Sequence, residues 1–399
     1  NKIWYHWMAW GFGHLYHNAK AIDVTGEGRN HKMNPEEVLR AVQAVLPKPV
    51  QKKARSAASL LSNPYEVKGV FVFLSIGDKI VETRGLSPHF KHLVIALRNW
   101  DRTVSASLNR KYPVMILHDG WVNHYDLADR VRKAAGASKV LFRFMDVKPS
   151  EAMKNHPERF VPQDCLEAFD SYRDMNRIFV RLMFEENSPL REFDYWMRID
   201  TDIEFDSGLQ FDPFLMMKAG KFVFGYNVCS RHGGCQQGFP EFALEYARNN
   251  NIQMTTQHAE KYITQDAMFY GNIGIGDVKF FTSGPVLRYM RAIDDDGGLY
   301  RQRWGDQHIY HSVIMLFADA NRTIAIHKMI DAKHKGTQLV GKACDFFGNE
   351  KDNGFPYIQK YAELGMLITD FQGFKVLEEY GDADKIIARH LEIQDIVED

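Results

Sequence analysis

Residues 193–205 read F-D-Y-W-M-R-I-D-T-D-I-E-F, an apolar strand pattern that runs straight into two carboxylates one residue apart. Alternate residues of a strand point to the same side, so Asp200 and Asp202 can meet one cation where the strand ends. Hard oxygen ligands select Mg²⁺ or Mn²⁺, and such an ion keeps coordination positions open for the oxygens of a diphosphate. A D-x-D triplet also arises in ordinary solvated turns. The apolar run immediately before it favours a site at the edge of a buried sheet.

Charge and composition narrow the classes around that stretch. The chain has 399 residues, with 50 basic and 51 acidic side chains and a formal net charge of -1. That balance offers no bulk field for nucleic acid or an anionic membrane surface, so charge chemistry must be local. No apolar run reaches the roughly 18 residues that a bilayer span requires. A first residue of Asn1 rather than Met leads us to expect a missing upstream piece. The four cysteines, Cys165, Cys229, Cys235 and Cys344, lack paired zinc spacing. Cys229 and Cys235 flank the flexible S-R-H-G-G loop, where they would bridge in an oxidising compartment or remain as small free hydrophobes. The sequon at Asn321 is compatible with secretion.

Residues 1–66 are aromatic- and histidine-rich and then polar, and we read them as an N-terminal extension ahead of one large catalytic domain at 67–399. Apolar segments follow at 70–75, 93–98, 114–119 and 140–145, read as strands. Residues 100–111 and 123–135 have helical spacing between them. Alternating strand and helix predicts an α/β sheet with ligands at the strands' carboxyl ends, where Arg98, Asn99 and Asp119 fall. A helix is predicted over 165–186, a strand over 221–226 and a helix after W-G-D at 304–306.

Seven blocks together resemble the fungal α-1,2-mannosyltransferases, glycosyltransferase family 15. They are L-R-N (97–99), L-N-R-K-Y-P-V-M-I-L-H-D (108–119), S-Y-R-D-M-N-R (171–177), Y-W-M-R-I-D-T-D-I (195–203), N-I-G-I-G (272–276), G-G-L-Y-R-Q-R-W-G-D-Q-H-I-Y-H-S (297–312) and A-K-H (332–334). Blocks in the same order and spacing are far more specific than any one of them. The resemblance implies a GT-A fold, with a mixed Rossmann-like sheet flanked by helices. It also implies Mn²⁺ or Mg²⁺, a GDP-mannose donor, a glycan or glycoprotein acceptor and retention of anomeric configuration. Residence in the Golgi lumen as a type II membrane protein is implied as well, the membrane being reached through a segment absent from this chain.

Carried over position by position, the resemblance makes Asp200 and Asp202 the metal and diphosphate ligands, with Asp200 one methylene shorter than the family's glutamate. His334 falls on a late metal-binding histidine, although by itself a histidine between lysines is an ordinary solvated loop residue. Tyr172 matches a tyrosine near the anomeric carbon, and its spacing also suits a core aromatic on a helix. Arg173 follows it as a further donor contact, and Arg98 and Asn99 would touch the nucleotide. Asp306 matches an acid near the acceptor, or caps the helix behind it. Where the family has a glutamate considered a possible nucleophile, this chain has Gly274. Glycine cannot attack carbon. The residues therefore predict a front-face transfer, a different nucleotide sugar such as UDP-galactose or a UDP-pentose, or a non-catalytic binding relative. A structural Ca²⁺ loop is a further reading of the paired acids.

Overall fold

A computed structural model describes residues 67–339 apart from short segments at 78, 109, 166–169, 210–211, 232–233, 255–258, 266, 320–321 and 328–329. These residues belong to one compact unit, Tyr65–Val376. The expected extension at 1–66, the sequon at Asn321, Cys344 and the acidic, aromatic tail lie outside the described residues.

Seven strands form the main sheet: β1 (Gly69–Ser75), β2 (Val114–His118), β3 (Val140–Phe144), β4 (Tyr195–Ile199), β6 (Phe224–Tyr226), β9 (Ile273–Asp277) and β10 (Thr323–Ala325). Their order is β10-β6-β9-β4-β1-β2-β3. The block from β4 through β1 and β2 to β3 is parallel, as the strand and helix rhythm predicts. Beyond β4 the sheet turns mixed, because β9 runs antiparallel to both β4 and β6. Smaller sheets pair β5 (Ile203–Phe205) with β11 (Ala332–His334) and β12 (Thr337–Gln338), and β7 (Cys229–Arg231) with β8 (Ala267–Phe269).

The larger helices are α1 (Pro88–Trp100), α2 (Leu127–Ala134), α3 (Asp170–Val180), α4 (Phe239–Asn249), α5 (Gly284–Asp296) and α6 (Asp306–Phe317). Helix α1 corrects the reading of 93–98 as a strand. Ser87 caps it by accepting the Phe90 N–H, Pro88 occupies its first turn, and Phe90, Leu93, Leu97 and Trp100 repeat on its buried face. The short window L-V-I-A-L-R contains too little of that period to separate helix from strand. The predicted helix at 100–111 is a wider π-type turn, Asp101–Ser105, continuing α1.

Both faces of the sheet are covered. On one, Phe71 meets Trp100 and Phe214 edge-on at 5.2 and 5.1 Å, and Phe90 meets Trp121 at 5.3 Å. On the other, Val70, Val72, Met115, Leu117 and Trp196 share a core with Ile178 and Phe179 of α3 and Ile309, Val313 and Ile314 of α6. Glycines of β9 make room for that layer. A Cβ on Gly276 would lie 2.6 Å from the Trp196 indole, whereas one on Gly274 would sit 3.4 Å from Phe224 Cζ, an ordinary contact. Gly276→Ala is therefore expected to cost about 1–3 kcal/mol and Gly274→Ala close to nothing. Urea unfolding of the two variants checks this contrast, and equal midpoints would contradict the packing.

Burial also fixes the charge state of two histidines. The imidazoles of His118 on β2 and His311 on α6 are pushed down to about 4 and about 3, from an ordinary 6.5, chiefly by desolvation. Both stay neutral in the folded chain and take up protons on unfolding. Their contribution to stability is thus complete above 6.5 and is lost as pH falls from there toward 4 and 3. Each adds about 1.4 kcal/mol of lost stability per pH unit within that window. His311→Phe should flatten the fall in unfolding free energy between pH 6.5 and 5 by about one proton; an unchanged slope would show that His311 is accessible to protons in the native state.

The expected bridge between Cys229 and Cys235 is corrected. Cys235 pairs instead with Cys165, 70 residues away, with Cα atoms 5.9 Å apart. Cys229 is buried in β7 opposite Phe269 of β8, whereas Cys235 lies past the turn with a left-handed backbone, φ 62°. Cys229 is itself disulfide-bonded.

Candidate active site

The site forms where β4 ends. Its alternate residues Trp196 and Arg198 face the aromatic layer, and Arg198 is a buried cation with 2% of its side chain exposed. Its Nε donates to Asp200 Oδ1 at 2.7 Å and its Nη2 to Asp200 Oδ2 at 3.3 Å. Its Nη1 donates to Asp306 Oδ2, on a carboxylate equally buried at the first residue of α6. The guanidinium also lies over the Phe179 ring, 3.5 Å from the centroid. One arginine thus holds two acids at fixed positions, a geometry suited to its planar fork. Burial raises the Asp200 carboxyl to about 6, with Arg198 pulling the other way.

Asp200 and Asp202 do not lie on one continuous strand. The chain leaves β4 at Ile199 and turns at 201–202 before β5. The turn sends the two carboxylates to different partners, Asp200 to Arg198 and Asp202 to β11. Antiparallel pairing of β11 with β5 sets His334 opposite Ile203, and His334 Nε2 stands 3.2 Å from Asp202 Oδ2. Lys335 bonds the Asp202 carbonyl through its backbone N–H at 3.1 Å and brings its ammonium to 3.5 Å from the carboxylate. A carboxylate oxygen and an imidazole nitrogen converging in this way fit a divalent cation such as Mn²⁺, which would displace the exposed Lys335 ammonium from the carboxylate. Asp202 and His334 would hold the cation. Among the described residues no group of three or more His, Cys, Asp or Glu could hold a metal ion. Asp200 therefore stands with Arg198, outside that pair.

Tyr172 on α3 is 38% exposed, with Arg303 stacked on its ring at 4.9 Å. Burial, then the charge of Asp306, raises its phenol above the ordinary range, so it stays protonated and able to donate. Asp306 is the first residue of α6, which is capped by Gly305, so its side chain is used by Arg198 instead of by the helix. Gly271 allows this approach, since a Cβ there would be 3.1 Å from Asp306 Oδ2. Two asparagine amides, Asn227 just past β6 and Asn272 just before β9, are buried at the same edge without a hydrogen-bond partner.

The remaining expected site residues lie around this centre in different roles. Asn99 accepts the Phe205 N–H at 2.7 Å and donates to the Phe205 carbonyl at 2.9 Å, so it braces β5 behind the acids. Arg98, on the same helix, is exposed. Asp119 Oδ2 accepts the Gly77 N–H at 2.6 Å, tying the carboxyl ends of β1 and β2 together. Arg173 turns the other way along α3. Its Nε donates to Tyr300 O at 2.8 Å, and its Nη2 to the carbonyls of Asp164 and Cys165 at 3.1 and 3.2 Å. It fastens the disulfide segment to the short helix Gly298–Arg301 ahead of α6. Sequence reasoning missed Arg198 and Arg303. The available signal for Arg198 was a basic residue two positions before an acid on an otherwise apolar strand.

Gly274 faces the same layer, opposite Arg198 in the β4–β9 register. Phe224, Trp196 and Tyr310 line the floor there, with ring centroids 5.8–6.5 Å apart. No carboxylate stands on β9 at that position.

Comparison with known proteins gives a consistent family. The Mn/GDP form of core-mannan synthase A from Aspergillus fumigatus superposes with a TM-score of 0.54 at 16% identity, covering 73% of this chain and 78% of that one. The mannosyltransferase Ktr4p from Saccharomyces cerevisiae in complex with GDP gives 0.55 at 18%, covering 79% and 84%. These likenesses establish the fold, the GT-A architecture expected from the sequence blocks. In sequence, the O-glycoside alpha-1,2-mannosyltransferase omh1 of Schizosaccharomyces pombe is 24% identical over 158 residues, 38% of this chain and 40% of that protein. The probable mannosyltransferase KTR3 of Saccharomyces cerevisiae is 26% identical over 138 residues, 33% and 34% of the respective chains. The chain spans two-fifths or less of the length of these two relatives. Residues 144–343, half of the sequence, match the family described as glycolipid 2-alpha-mannosyltransferase, and the chain belongs to that family.

Proposed function

We propose that this chain is a retaining, metal-dependent mannosyltransferase that moves mannose from GDP-mannose to a hydroxyl of a glycan, forming an α-1,2 linkage. One observation carries the reading: Arg198 gathers Asp200 and Asp306 at the end of β4, and the Asp202–His334 pair stands beside them, 3.2 Å between its atoms. A set of charges anchored by the buried Arg198–Asp306 pair at the carboxyl edge of a parallel sheet is what phosphate-leaving chemistry needs. A divalent ion, which Asp202 and His334 would hold, would supply charge neutralisation for a departing diphosphate.

The protein's own groups then carry the positioning. Asp306, locked by Arg198, accepts a hydrogen bond from the attacking acceptor hydroxyl and fixes its direction. Tyr172, kept protonated by burial, donates to the donor or its leaving oxygen. Gly274 supplies no side chain to form a covalent glycosyl intermediate, which supports a front-face route. The acceptor oxygen bonds to the anomeric carbon on the side from which the phosphate oxygen leaves, and the hydroxyl proton passes to that oxygen. Orientation and electrostatics lower the barrier without a nucleophile supplied by the protein. The Cys165–Cys235 disulfide supports residence in an oxidising compartment such as the Golgi lumen.

Incubation with GDP-mannose, UDP-galactose and UDP-xylose, each with Mn²⁺ or with EDTA, tests the reading through slow donor hydrolysis. Mannose release from GDP-mannose only when Mn²⁺ is present is the expected result. Preferential hydrolysis of a UDP-sugar would replace the donor, and no turnover of any of them would reject the enzymatic account.

A further inference from the structure

We infer that Phe144 is the platform on which the donor's nucleobase stacks, an inference that rests on the nucleotide-sugar reading above. Phe144 ends β3, the outermost strand of the parallel block, and its side chain is 60% exposed. A singly exposed apolar residue is ordinary on a protein surface. The location is what distinguishes this one. From β4, whose end carries the acids, the order continues through β1 and β2 to β3, all parallel, so their carboxyl ends form one ledge. At about 4.8 Å per strand the ledge extends about 14 Å from Asp200 to Phe144. A nucleoside diphosphate anchored by its phosphates at the acids and extended along the ledge brings its base to that ring.

The ledge is shaped for such a guest. Gly77, at the end of β1, has φ 131°, and no atom lies within 4 Å of where its Cβ would be. Gly120, after β2, has φ 114°, and a Cβ there would touch Phe144 at 3.6 Å. Both backbones lie in the left-handed region that favours glycine, and both leave the ledge without a side chain at these positions. Asp119 fixes the pair through its bond to the Gly77 N–H. Behind the Phe144 ring lies the buried His118 ring, centroids 6.2 Å apart, which supports one side and leaves another open. Among the described residues the other exposed aromatic rings, Tyr125 and Tyr172, are each already covered by an arginine, Arg84 at 5.2 Å and Arg303 at 4.9 Å. Base stacking on an aromatic side chain tolerates any base, so Phe144 would supply affinity and leave base identity to polar groups.

Calorimetric titration of the wild type, Phe144→Ala, Phe144→Leu and Phe144→Trp with GDP and with inorganic pyrophosphate, all in Mn²⁺, tests this. Alanine and leucine should weaken GDP binding about five- to a hundredfold, tryptophan should retain it, and pyrophosphate binding should be the same in all four. Leucine keeps the apolar bulk, so its loss separates stacking from packing. Equal GDP affinity in wild type and both truncations, or an equal loss for pyrophosphate, would overturn the inference and leave the proposed function standing. A wild type that bound neither GDP nor pyrophosphate would overturn that function and this inference with it.

Discussion

Asp202→Ala is expected to abolish Mn²⁺-dependent mannose transfer, lowering the rate about a thousandfold, while the apo protein unfolds almost as before. The size follows from what an ion at a leaving diphosphate contributes, several kcal/mol of transition-state charge stabilisation, at 1.36 kcal/mol per tenfold. The small structural cost follows from the environment. Asp202 is partly exposed, and its side-chain partners are His334 and the exposed Lys335. Pairs of that kind contribute about 0–1 kcal/mol. His334→Gln should move transfer in the same direction. Initial rates over a range of Mn²⁺ concentrations, alongside a urea unfolding curve, check both parts; a variant that kept wild-type turnover at saturating Mn²⁺ would remove Asp202 from the site.

Arg198→Met should have the opposite profile, a large loss of stability before any question of rate. Removing the guanidinium leaves the Asp306 carboxylate, 2% exposed, buried without its counter-charge and strips the cation from the face of Phe179. Breaking a buried pair in this way costs about 3–5 kcal/mol, because the remaining charge has no water to turn to. The double change Arg198→Met with Asp306→Asn removes the stranded charge and should recover part of that loss. Unfolding free energies of the two single variants and the double variant form a cycle that isolates the coupling. Independent, additive effects would show that Arg198 and Asp306 do not form the pair described.

The parallel half of the sheet was legible because each strand is a short apolar run followed by a helical period, and the blocks at 114–119 and 195–199 became β2 and β4. Helix α1 was not, since Leu93 to Leu97 is a continuous apolar run as short as a buried strand, and its helical period shows only when Ser87 and Trp100 are included. Asp202 and His334 were named from motif position, yet their meeting depends on β5 pairing with β11 across 132 residues, which no local pattern encodes. The same limit explains the cysteines. Nearness in sequence favoured Cys229 with Cys235, whereas the ends of two distant segments bring Cys165 to Cys235. Arg173 adjoins Tyr172 in sequence but points away from it, because neighbouring residues on a helix face different directions. Arg198 escaped notice for a related reason: its role appears only once Asp306, 108 residues later, is folded against it.

The most direct test of the account is a crystal of this protein soaked with Mn²⁺ and GDP, with manganese located by its anomalous signal. The account predicts one manganese bound by the Asp202 carboxylate and the His334 imidazole and bridged to the GDP phosphates, with Arg198 still joining Asp200 to Asp306. Manganese absent from that pair, or GDP bound with its phosphates away from the end of β4, would contradict it.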